Sequence, residues 1–141
     1  MQDLIFDTGL VTYKINGGYE LTMNPTDVYF VEQIYNAFDS LDKKQVRYQS
    51  EIDATRGKKE VFDLARKIDK EMRGTIDGLF ETDVCDAIFG KMNVYSLASG
   101  LPLWANFMLA LIDITDTAFA QEQKKTNPRI AKYTNKYANL K

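Results

Sequence analysis

Acid–base chemistry needs two carboxyl groups whose surroundings separate their pKa values. The chain offers two close pairs, Asp113 with Asp116 and Asp83 with Asp86. Each pair stands at i and i+3, which places both acids on one helix face. Asp113 and Asp116 follow an apolar run and read as caps or buried hydrogen-bond acceptors. Asp83 and Asp86 open a short helix, where the positive end of the helix dipole already accounts for acids. Nucleophilic and metal chemistry has less to work with. The sequence contains no His, which removes the imidazole base, the Ser-His-Asp and Cys-His arrangements and every His-ligated metal. Its single Cys, Cys85, excludes an intrachain disulfide, a cysteine-only zinc site and a Cys-x-x-Cys redox pair. No basic neighbour in sequence would lower the Cys85 thiol pKa, so the residue reads as a small buried hydrophobe. Phosphate cradles are missing too: Gly17-Gly18 lies in a turn, and neither a P-loop nor a G-x-G-x-x-G stretch occurs. Asp39-Ser-Leu-Asp42 and Asp77-Gly-Leu-Phe-Glu81 lack the ligand order of a calcium loop. The chain is therefore expected to act without catalysis, cofactor or metal.

The remaining chemistry is charge. With 18 Lys+Arg against 20 Asp+Glu in 141 residues, the formal net charge is −2. Residues 123–141 hold six of the 18 basic side chains and no acid, which leaves 12 against 20 before them, so the body is −8 and the tail +6. Lys124, Lys125, Arg129, Lys132 and Lys136 surround Ile130, Tyr133 and Tyr137, which recur at i, i+3 and i+7 and form a narrow apolar stripe on a basic helix. These eight residues are the candidate partner-binding set. An acidic body would repel a polyanion, so an acidic protein surface is the favoured target ahead of nucleic acid. Docking of the tail on its own core is the simpler alternative.

Those residues must be positioned by a folded body. At 45% hydrophobic and 27% charged, the chain has the composition of one globular domain with a real core. We take residues 1–123 as a single α-helical domain with an N-terminal β-hairpin at about residues 4–23, and residues 124–141 as a basic tail or short helix. Two β-rich runs flank Asn16-Gly17-Gly18, and Asn-Gly is a strong hairpin signal because both central positions of the favoured turn need positive φ. Leu4-Ile5-Phe6 would lengthen the first strand. An isolated hairpin is marginal in water, so this one must lie on the helical body or on another subunit. Asn24-Pro25-Thr26-Asp27 reads as a helix start, with Asn24 as cap, Pro25 at the first helical position and Asp27 in the first turn. The seam Val31, Ile34, Phe38, Leu41, Gln45, Tyr48 and Ile52 then marks a long helix with one polar position. After a polar linker containing Gly57, a second seam runs through Val61, Ala65, Ile68, Met72, Ile76 and Leu79. The two should fold back as an antiparallel hairpin rather than continue as one rod. Lys58, Lys59, Asp63, Arg66, Lys67, Lys70 and Arg73 read as its solvated face.

A compact helix from Thr82 to Phe89, with Thr82 as cap and Gly90 beyond its end, and a single turn at Asn93–Ala98 come next. Ser99-Gly100-Leu101-Pro102 is a breaker that launches the most apolar helix. Its apolar residues, Leu103 to Ile114, lie on nearly all sides, so it is expected to be surrounded as the central core element. The apolar stretch Leu101–Ile112 is about a dozen residues, short of the roughly 20 that span a bilayer. Met1-Gln2-Asp3 opens no secretory signal. The fold class is thus mainly α: a helical bundle with a long antiparallel helical hairpin, a very hydrophobic core helix and a small β-hairpin.

Four segments carry a family resemblance: Asn24 to Glu32 (NPTDVYFVE), Met72 to Gly90 (MRGTIDGLFETDVCDAIFG), Met92 to Leu109 (MNVYSLASGLPLWANFML) and Thr126 to Tyr137 (TNPRIAKYTNKY). Together they resemble a family of small proteins encoded in the tail morphogenesis modules of tailed phages and prophages of Firmicutes. The resemblance covers nearly the whole chain, is densest from Met72 onward and is weakest over Asp39 to Glu60. It implies a tail assembly chaperone, which binds the tape measure protein or tube subunit while the tail is built, in the bacterial host cytoplasm, with homo-oligomerisation possible. It implies no catalytic or binding residue at any position here. A structural component retained in the virion is the alternative, and a small nucleic-acid-binding regulator a weaker one.

Overall fold

The structure, a computed structural model, describes residues 1–125 together with 129, 130 and 132. Residues 1–10 are exposed and join no strand, so Leu4-Ile5-Phe6 does not lengthen the hairpin. Three successive apolar residues lack the alternation that a strand half-buried on a core would need. The first sheet is an antiparallel pair, β1 (Val11–Ile15) and β2 (Tyr19–Met23), with Val11 opposite Met23 and Ile15 opposite Tyr19. Asn16 (φ 49°) and Gly17 (φ 75°) both take positive φ, as the favoured hairpin turn requires. Period-two alternation orients the pair: Tyr13, Ile15, Tyr19, Leu21 and Met23 pack in or against the core, while the Thr12 and Thr22 hydroxyls meet at 2.7 Å on the other face. The hairpin lies on its own chain's helices.

Helix α1 (Val28–Ala54) begins later than its sequence suggests. The Asn24 side-chain oxygen is already taken by the Thr26 amide and hydroxyl, at 2.8 and 2.9 Å, an Asx turn that precedes the helix. Asp27 caps instead, accepting from the Tyr29 amide at 3.0 Å. Helix α2 (Lys58–Phe80) runs back antiparallel to α1; Lys44 reaches Thr75 at 2.7 Å and Arg47 reaches Glu71 at 2.9 Å. Gly57 sits at φ 92° in the reversal, and a Cβ there would collide with the Glu60 carboxylate. Both seams face inward, with Ile34, Leu41, Ile68, Met72 and Ile76 fully buried. The polar seam position is matched across the core: Gln45 accepts from the Trp104 indole at 2.8 Å.

Helix α3 (Val84–Phe89) starts two residues after the expected Thr82. Its capping partner comes from α2, where Asp77 accepts from the Cys85 amide at 2.8 Å. Arg73 corrects a second expectation. Its side chain is 14% exposed, donating to Asp69 at 3.0 Å, Asp86 at 3.1 Å and the carbonyls of Gly90 and Met92 at 2.8 and 2.6 Å. Asp69 in turn accepts from the Val94 amide at 2.7 Å. Asp69, Arg73 and Asp77 recur at i, i+4 and i+8, one polar stripe that grips the segment between α2 and the last helix. Ser99 and Gly100 both take positive φ, at 56° and 79°. The expected breaker is therefore the turn of a second, tiny hairpin, β3 (Leu97–Ala98) and β4 (Leu101–Pro102).

Helix α4 (Leu103–Lys124) buries Trp104, Ala105, Phe107, Met108, Leu111 and Thr115. It is not surrounded: Leu109, Ala110, Asp113 and Asp116 are exposed, because its neighbours cover one side and leave the other open. The expectation that Asp113 and Asp116 serve as caps or buried acceptors falls with it. Phe38 meets Trp104 edge-on at 5.5 Å, and Phe30, Phe80, Phe107 and Phe89 form a chain of ring contacts from α1 to α3.

Candidate docking surfaces

Five of the eight candidate partner-binding residues precede Tyr133, and the structure describes all five. Lys124 is the last residue of α4 and Lys125 its C-cap; Arg129, Ile130 and Lys132 have helical backbone and are exposed. Tyr133, Lys136 and Tyr137 lie outside the described residues. Lys125 is held by Glu122 at 2.8 Å, and that hydrogen bond, with the charges of Glu122 and Asp7, raises its pKa. Ile130 is 77% exposed, so the first apolar position of the stripe does not pack on the core. The end of α4 stands beside the start of α1: Lys125, Glu122 and Gln121 share a shallow basin with Asn24, Pro25, Thr26 and the Asp7–Gly9 bend.

A second surface escaped the sequence reading. Along α4, the β1 strand walls a groove, with Tyr13 lining three adjoining depressions from Gln121 and Ala118, through Ile114, to Ile88 and Met92. Its apolar section, about 360 Å³, is floored by Leu103, Phe107, Ala110 and Leu111, with Lys14 and Asn16 at its mouth. Beside it, residues 1–10 form an arm whose Leu4, Ile5 and Phe6 are 84%, 88% and 71% exposed. The root of the arm is fixed. Asp7 accepts from the Gly9 amide at 2.8 Å, and the Asn24 side chain donates to the Thr8 carbonyl at 2.9 Å. Consecutive apolar residues ahead of a strand were the available signal, but read as strand they pointed inward.

Cys85, Tyr95 and Asp86 are turned inward or paired, whereas Asp113 and Asp116 are exposed. Cys85 is fully buried, and burial, then the Asp77 contact, pushes its thiol pKa up, away from the reactive thiolate. Tyr95 stacks on Tyr48 with ring centroids 4.0 Å apart; burial raises its phenol pKa, and its buried hydroxyl has no hydrogen-bond partner among the described residues. Asp86 is engaged by Arg73. Among the described residues no cluster of three His, Cys, Asp or Glu could hold a metal. Helix α4 is long and apolar enough, by length and composition, to cross a membrane, and 28% of its most apolar stretch is buried in the fold.

What these features define is a mainly helical protein with an apolar arm, an apolar groove and, among the described residues after α4, exposed basic side chains. Comparison of the chain with protein-family models, with curated proteins and with solved structures finds no match.

Proposed function

We propose that this protein is a non-catalytic assembly factor of phage tails, a tail assembly chaperone that binds the tape measure protein or a tail subunit. The observation that carries the reading is the exposure of Ile130 between exposed Arg129 and Lys132. A basic helix that packed its apolar stripe on its own core would bury that position, whereas one offered to a partner leaves it in water until binding. The split between a −8 body and a +6 tail supports an acidic helical partner, which the tail would attract at long range. The resemblance of the Met72–Gly90 and Met92–Leu109 segments to phage tail-module proteins supplies the biological setting.

Co-expression with the neighbouring tail proteins and co-purification is the test. The expected result is a stable complex with the tape measure protein or tube subunit that loosens as salt rises. Mass spectrometry of finished particles should find no copy of this chain; its presence there at stoichiometric level would replace the chaperone reading with a structural one. Retention of nucleic acid in a salt-sensitive gel shift, with no tail protein bound, would overturn both.

A further inference from the structure

Two unsatisfied features of this chain fit each other, and they need no partner of the basic tail. The first is the arm, where Leu4, Ile5 and Phe6 stand 71–88% exposed on about six residues ahead of the fixed root, which can reach roughly 20 Å when extended. The second is the apolar groove between β1 and α4. Its wall is a strand with a partner on one side only, β1 in a two-stranded sheet, so its outer edge offers the unpaired amides and carbonyls that accept an added strand.

We infer that the arm of one copy docks in the β1–α4 groove of a second copy, so that the chain self-associates by reciprocal arm exchange. In an extended segment Leu4 and Phe6 share one face, as Tyr13 and Ile15 do in β1, and they enter the apolar section over Phe107 and Ala110. Charge supports the same occupant: Asp3 and Asp7 bracket the apolar triplet, and Lys14 stands at the groove's mouth. The size is sufficient as well. Thirteen residues line the apolar section, and with the roughly six free residues of the arm they approach the 20–30 residues a side of a standard interface. The Asp7–Gly9 bend and the bond from Asn24 to Thr8 fix the root, leaving Leu4 to Phe6 clear of the chain's own core.

Sedimentation velocity of the full chain tests this against concentration. The wild type should form a dimer whose fraction grows with concentration, as a reciprocal, two-fold exchange requires. Leu4→Asp/Phe6→Asp should raise the dissociation constant at least about 100-fold, the loss expected when two anchors leave each pocket. Circular dichroism should stay unchanged because both side chains are exposed. Ala110→Glu, on the groove side, should act alike. Mixing Phe6→Cys with Ala110→Cys should give an intermolecular disulfide. A wild type that remains monomeric at every concentration overturns the proposal, as does an oligomer indifferent to the arm and groove variants. A Phe6→Cys/Ala110→Cys double variant that closes its disulfide within one monomer would show the arm folding onto its own groove, which also overturns it.

Discussion

Arg73 donates four hydrogen bonds from a position that its sequence places among solvated charges. A guanidinium can hold two carbonyls and two carboxylates at once because its five donors form a planar fork. Arg73→Met would leave the Gly90 and Met92 carbonyls unpaired and Asp69 without its counter-charge, at a cost of about 3 kcal/mol. Urea unfolding would measure it, and Arg73→Lys should recover little, since one ammonium cannot span the same acceptors. Tyr95 makes the opposite case. Its buried hydroxyl has no partner among the described residues, so Tyr95→Phe should keep or raise stability at neutral pH, by up to about 1 kcal/mol. The alkaline limb follows from the raised pKa values of Cys85 and Tyr95. Each group is held neutral in the fold, so its contribution is complete below the unfolded-state pKa and falls away as pH rises toward the folded-state pKa. The loss begins near the ordinary thiol value of 9.0 and deepens past the phenol value of 10.0. Melting temperature should therefore drop above pH 9, and less steeply beyond pH 10 in Tyr95→Phe.

Among the elements, α3 has six residues, too few to persist alone. It is fastened by the α2 stripe, with Asp77 on the Cys85 amide. Asp77→Ala should cost about 1 kcal/mol, as removal of a capping acceptor does. Hydrogen exchange should show the amides of Cys85 and its neighbours opening before those of α1. What the chain disclosed in advance tracks how local each cause is. The Asn16-Gly17 turn, the two seams, the Gly57 reversal and the inert Cys85 follow from neighbouring residues, and the structure has them all. Contacts between segments distant in sequence did not show. The stripe Asp69, Arg73, Asp77 has helical spacing, but its partners in the following segment lie 8 to 25 residues away. Asn24 lost its capping role to an Asx turn, and Ser99-Gly100 turned out to make a hairpin rather than a plain break. Among the candidate surfaces, the excess of basic residues after α4 is legible from composition. The groove is not, because it arises only where β1 lies across α4.

For the whole molecule the distribution of charge matters more than its sum of −2. The tail leaves α4 beside the start of α1, with Lys125 already tied to Glu122 and attracted by Asp7. Deleting residues 124–141 should weaken association with the proposed tail-protein partner at least about tenfold at low salt, with the difference shrinking as salt screens it. Helical content and melting temperature should change little, because the described tail residues are exposed. A truncated chain that unfolds would make the tail a core element and remove the docking role.

The bond between Trp104 and Gln45 also has an optical meaning. The chain holds one Trp, 3% exposed, at the contact of α4 with α1. Its emission should stay blue while those helices remain together and shift red when they part, so tryptophan fluorescence reports their separation alone. Opening of α3 or release of the arm would pass unseen by this dye and register in hydrogen exchange instead. A gap between the two readouts on a denaturant titration would then map which parts of the molecule come loose first.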